Sequence, residues 1–149
     1  MRGLILDFGG VLDGPGSDPE PLVAVVADLR ARGVRTAILS NDPGGPGGAA
    51  LRGLGGRVVD EVVLSGDVGL AKPDPRIFLH AARLLGVPPA RCVFVDDLIG
   101  NVRGAVAVGM VGVHHVGADA TVEELRILFD SEPGGAGGDG PASPDAGDG

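Results

Sequence analysis

Val93-Phe94-Val95-Asp96-Asp97 is a short, unbroken apolar run that stops at two carboxylates, with Leu98-Ile99-Gly100-Asn101 following it. A half-exposed strand would alternate polar and apolar residues, so a continuous run rich in branched and aromatic side chains reads as a strand buried on both faces. Leu4-Ile5-Leu6, Thr36-Ala37-Ile38-Leu39, Val62-Val63-Leu64 and Val111-Gly112-Val113 are runs of the same kind. Between them, Leu22, Val25, Val26 and Leu29 recur with helical spacing, as do Phe78, Ala81, Ala82 and Leu85, and a third segment repeats the period at Val102, Ala105 and Val106. Thr121 with Glu124 predicts a capping box ahead of Leu125, Leu128 and Phe129. Strand and helix in alternation imply an α/β fold: a Rossmann-like, parallel five-stranded sheet with helices on both faces and right-handed crossovers.

A length of 149 residues sets one domain as the expectation. The 20 Asp and Glu against 12 Lys and Arg give a formal charge of −8 with no basic run, so a nucleic acid or an anionic membrane surface would be repelled. No apolar segment approaches the roughly 18–20 residues needed to span a bilayer, and the first residues form no charged-then-apolar leader. These features predict a cytoplasmic protein. The single cysteine, Cys92, has no partner for an internal disulfide and reads as core packing. Gly and Pro gather at 13–21, at 42–56 around a short helix, and from Ser131 onward.

In open parallel sheets, ligands bind beyond the carboxyl ends of the strands. Asp7 follows the first run, Ser40-Asn41 the second, Lys72 comes after the third, and Asp96-Asp97 ends the fourth. Any one of these would pass for a turn or cap residue. Together, three carboxylates, a hydroxyl, an amide and an ammonium suit a divalent, oxygen-liganded cation with a bound phosphate. Lys72 is also the chain's one lysine, the other eleven basic residues being arginine. A composition that uses Arg elsewhere keeps a compact ammonium here. His114-His115 follows the fifth run, but adjacent residues of a strand point to opposite faces and do not form one metal site.

Four segments in this order, Leu4 to Leu12, Ile38 to Asn41, Gly69 to Phe78 and Val93 to Asn101, resemble the four motifs of the haloacid dehalogenase-like hydrolases. The phosphatase-like domain of soluble epoxide hydrolase and its bacterial relatives is the most similar variety, and the resemblance runs from residue 2 to about 116. It implies a phosphatase with Asp7 as the nucleophile that accepts the phosphoryl group, Ser40 and the Asn41 backbone on the phosphate oxygens, and Lys72 neutralising the charge between them. It further implies Mg2+, held by Asp7, the Gly9 carbonyl and Asp97, with Asp96 beside them either on the ion or behind its ligands; Gly100-Asn101 is expected to steady the turn after Asp97. The substrate would be a phosphorylated small molecule or macromolecule.

Two departures qualify that implication. The family places a second Asp two residues after the nucleophile as general acid and base, and here that residue is Gly9. Loss of a general acid typically costs about 10²–10⁴ in rate. The alternative is therefore a catalytically impaired, metal- and phosphate-binding module acting through a partner. The chain also lacks room for a cap domain, because a helix over about Pro19 to Arg32 fills the first connection and a strand with a short helix fills the second. An open site closed by an oligomer or a protein partner is the expectation by analogy. Two rivals are set aside. A haloacid dehalogenase needs no Asp96-Asp97 pair, and a phosphoacceptor receiver domain carries its acidic pair after the first strand.

Residues 1–130 are expected to form the core domain and 131–149 a disordered, acidic Gly/Pro tail. That tail contains Glu132, Asp139, Asp145 and Asp148, no basic residue and no large apolar one, so it cannot bury enough surface to offset chain entropy. Removing residues 131–149 is expected to leave the thermal midpoint unchanged. A fall of more than about 4 °C, near 1 kcal/mol for a domain of this size, would show that the tail docks on the domain.

Overall fold

A computed structural model describes residues 2–13 and 18–130; the tail expected at 131–149 lies outside the described residues. Five strands, β1 (Gly3–Leu6), β2 (Arg35–Ser40), β3 (Glu61–Leu64), β4 (Cys92–Asp96) and β5 (Val111–His114), form one parallel sheet in the order β3-β2-β1-β4-β5. Each of the five apolar runs is a strand. The α/β, Rossmann-like class follows directly, with helices α1 (Glu20–Ala31) and α6 (Ala118–Asp130) on one face and α4 (Pro75–Leu85) and α5 (Ile99–Ala107) on the other.

Strand alternation divides the interior into two layers. Leu4, Leu6, Ile38, Val93 and Val95 pack against Leu22, Val25, Val26 and Leu29 of α1 and Leu125 and Phe129 of α6. Ile5, Ala37, Leu39, Cys92 and Phe94 face the opposite way, onto Ile77, Phe78, Ala81, Ala82 and Leu85 of α4 and Ala105 of α5. Phe78 meets Phe94 edge-on at 5.1 Å between ring centroids. Burial pushes the Cys92 thiol up to about 11, in keeping with core packing.

Three local expectations need correction. The sixth helix begins at Ala118, so Thr121 lies inside it and makes no capping box; its buried hydroxyl is 2.7 Å from His115 Nδ1, a tertiary partner that replaces the cap. Val106 is 53% exposed, because the inner face of α5 is carried by Val102, Ala105 and the polar Asn101. Val111 is 38% exposed at the sheet edge, so β5 is not buried on both faces as a continuous run suggested.

The connections carry little beyond the core. Among the described residues α1 alone lies between β1 and β2, while a 3₁₀ turn at Gly45–Gly48 and the short α2 (Ala49–Arg52) lie between β2 and β3. A third short helix, α3 (Ser65–Val68), leads from β3 to the loop bearing Lys72. Asp74 caps α4 by accepting the Arg76 N–H at 2.9 Å, with Pro75 at the first helical position. None of the described helices is long and apolar enough to cross a membrane.

Gly104 of α5 sits where the Lys72-Pro73 segment crosses it: a Cβ there would lie 2.9 Å from Pro73 Cβ and 3.0 Å from both the Pro73 carbonyl oxygen and Phe78. Gly104→Val should therefore push this segment outward and cost about 1–3 kcal/mol by overpacking, measured by urea unfolding. Wild-type stability in the variant would mean that α5 and the loop separate freely.

Candidate active site

The order β3-β2-β1-β4-β5 reverses direction between β1 and β4, the point at which an open α/β sheet offers a crevice beyond its strand ends. Leu6 pairs with Ile38 on one side and Val95 on the other, so the next residues, Asp7, Leu39-Ser40 and Asp96, emerge side by side. Lys72 reaches this edge from the loop between α3 and α4.

The Lys72 side chain is 1% exposed, and its ammonium donates to Asp7 Oδ1 at 2.8 Å, to the Leu39 carbonyl at 2.8 Å and to Asp96 Oδ2 at 2.9 Å. An ammonium has three protons, and all three are placed. Asp96 is completely buried and equally committed: Oδ1 accepts the Leu98 N–H at 2.9 Å, and Oδ2 also accepts from Asn101 Nδ2 at 3.1 Å. Asp7, Asp96 and Asp97 each offer a carboxylate oxygen, and these atoms lie within 4.8 Å of one another. Asp97 is the more exposed member and lies against Gly10, where a Cβ would collide with its carboxylate and where φ is +81°. Glycine is thus required at residue 10 on two counts.

Burial pushes the Asp7 carboxyl up to about 6; the Lys72 hydrogen bond and charge oppose that rise and the neighbouring Asp96 charge adds to it. Ser40 ends β2 and is buried. Asn41 reaches the edge too, but its side chain has a task that sequence did not disclose. Its amide N–H donates to the Lys72 carbonyl at 3.1 Å while its Oδ1 accepts the Lys72 backbone N–H at 2.9 Å. Both main-chain polar groups of Lys72 are therefore clamped by one side chain. No local pattern could have shown this, because the partners are 31 residues apart.

Gly9 is exposed, with φ outside the left-handed region and nothing within 4 Å of a Cβ built on it. Asp13 is exposed. His114 and His115 go separate ways: His114 Nε2 donates to the Asp97 carbonyl at 3.0 Å, and His115 Nδ1 pairs with Thr121.

A family model described as a haloacid dehalogenase-like hydrolase matches residues 2–109. The crystal structure of an uncharacterized protein from Corynebacterium glutamicum is similar over 89% of this chain and 98% of its own, with 48% identity and a TM-score of 0.83. A HAD phosphatase from Thermococcus onnurineus is similar over 71% of this chain and 55% of its own, at 31% identity and a TM-score of 0.58. The sesquiterpene phosphatase astK of Aspergillus oryzae is 33% identical over 109 residues, covering 72% of this chain and 55% of that protein. The chain spans about half or less of the length of the curated relatives it matches.

The Asp7 shift has a signed consequence. Its folded value near 6 lies above the ordinary 3.8, so the folded state holds the proton more tightly, and the stability this group confers is lost as pH rises through 6. In metal-free buffer, Asp7→Asn should remove that decline in stability between about pH 4 and 6. Unfolding midpoints across pH check this; an unchanged slope would mean that Asp7 titrates in the ordinary range.

Proposed function

Because the chain belongs to the haloacid dehalogenase-like hydrolases, we propose that it is a magnesium-dependent phosphatase-like hydrolase acting through an aspartyl-phosphate on Asp7, slowed by Gly9. The observation that carries this reading is the buried ammonium of Lys72 held between Asp7 and Asp96. A carboxylate cannot approach a phosphate dianion unless cations offset both charges, and Lys72 sits against the carboxylate that would attack.

The donor set fits the metal: three clustered carboxylates suit a hard divalent ion. Asp7, Asp97 and the Gly9 carbonyl would hold it, whereas Asp96, with both oxygens engaged, supports Lys72 from behind. Bound there, magnesium would supply positive charge to offset that of the phosphate.

The chain's own residues do the rest. One Asp7 oxygen forms a bond to phosphorus as the phosphorus–oxygen bond of the ester breaks and its electron pair leaves with the alcohol oxygen, while the other accepts from Lys72. Water then attacks phospho-Asp7, releasing phosphate and the free carboxylate. Lys72 lowers the charge repulsion between Asp7 and the phosphate, and Asn41 holds the Lys72 backbone so that the ammonium cannot retreat. The Ser40 hydroxyl and the Asn41 backbone N–H donate to phosphate oxygens. The substrate is a phosphorylated small molecule or macromolecule entering a site without a cap. A second reading, a metal- and phosphate-binding module with impaired turnover, is favoured by the empty side-chain position at Gly9.

Hydrolysis of p-nitrophenyl phosphate with and without magnesium tests the enzyme, with Asp7→Asn expected to abolish it. Asp97→Ala should lower magnesium affinity by at least tenfold in titration calorimetry, since a hard cation with few protein ligands does not tolerate losing one. Wild-type rates in Asp7→Asn would remove Asp7 as nucleophile, and unchanged affinity in Asp97→Ala would remove Asp97 from the metal site.

A further inference from the structure

Phosphoryl transfer to Asp7 turns on where the leaving oxygen finds a proton, and most of the side-chain donors described at this edge are committed elsewhere. Lys72 donates its three protons to Asp7, Leu39 and Asp96. Asn41 donates to the Lys72 carbonyl, Asn101 to Asp96, and His114 Nε2 to the Asp97 carbonyl. The Ser40 hydroxyl is no more acidic than the alcohol it would have to protonate. Asp96 is sealed with both oxygens engaged, and the proposed metal claims Asp97. Beside Asp7, residue 9 has room and a backbone conformation for any side chain, yet it is glycine.

We propose that Asp7 accepts phosphoryl groups from acyl phosphates, and that the phospho-Asp7 so formed persists. This rests on the reading of Asp7 as nucleophile. In the step, a carboxylate oxygen of Asp7 forms a new bond to phosphorus, the bond from phosphorus to the acyl oxygen breaks, and its electron pair leaves with the carboxylate product. No proton moves. An alkyl phosphate would instead have to expel an alkoxide, a far more basic leaving group. Hydrolysis of phospho-Asp7 requires the attacking water to surrender a proton, and residue 9, beside Asp7, carries no side chain to take it. Loading is thus fast only from donors with weakly basic leaving groups, and unloading is slow from any donor.

The test incubates the full chain with magnesium and either acetyl phosphate or glycerol phosphate and reads the intact mass. Acetyl phosphate should add one phosphoryl group per chain, located on Asp7 by peptide mass and absent from Asp7→Asn, while glycerol phosphate adds none. Gly9→Asp should shorten the lifetime of the adduct by about 100-fold or more by restoring a base. Equal labelling by the two donors, or equal lifetimes in wild type and a folded Gly9→Asp, would overturn the proposal. Beryllofluoride, a phosphoryl mimic that binds a carboxylate with magnesium, separates two failures by fluorine NMR. A bound signal without any acetyl phosphate adduct defeats this inference and leaves Asp7 as the site. Neither signal nor adduct defeats both.

Discussion

Burying a charge obliges a chain to surround it with partners, and the Lys72 ammonium draws its three from three different strands or strand ends. Asp7 follows β1, the Leu39 carbonyl belongs to β2 and Asp96 ends β4. Those strands are neighbours in the sheet, so the bridge holds only in the observed register. Slipping β4 by one residue would turn Asp96 to the other face and leave a buried cation short of an acceptor. Removing one partner from a buried ionic group of this kind costs about 3–5 kcal/mol, a large part of what a domain of this size has available.

The loops are built to serve that cation. Lys72 does not lie in a strand, so its backbone needs its own anchor, and Asn41 supplies two hydrogen bonds. Asn41 is steadied in turn by its neighbour: the Asp42 N–H and carbonyl both bond to Ser65 Oγ at 3.0 Å, and the carbonyl also accepts the Gly66 N–H at 2.8 Å. On the far side α5 approaches Pro73 closely through Gly104. The same helix presents Asn101 to Asp96, so its placement serves both flanks of the bridge.

The five strands were legible in the sequence as unbroken apolar runs, and Asp7, Ser40, Asp96 and Asp97 as the residues at the ends of those runs, whereas Lys72, in the loop between α3 and α4, was marked by being the chain's one lysine. What stayed hidden depended on partners distant in sequence. Thr121 and Glu124 have the spacing of a cap, yet Thr121 bonds to His115 from within the helix. Val106 keeps the helical period but looks outward, since hydrophobic spacing does not report where α5 turns its inner face to cover Asp96. The clamp of Asn41 on Lys72 leaves no local trace. The backbone conformation at Gly9 is another such case, because a glycine is compatible with either sign of φ until the fold is known.

Because the chain's one lysine is also its most enclosed cation, the folded surface offers no lysine amine to chemistry from outside. Reagents or enzymes that modify lysine can reach Nζ only when the bridge to Asp7 and Asp96 has opened. The rate of such modification is then proportional to the open population, and a single amine becomes a built-in gauge of how often this end of the sheet comes apart.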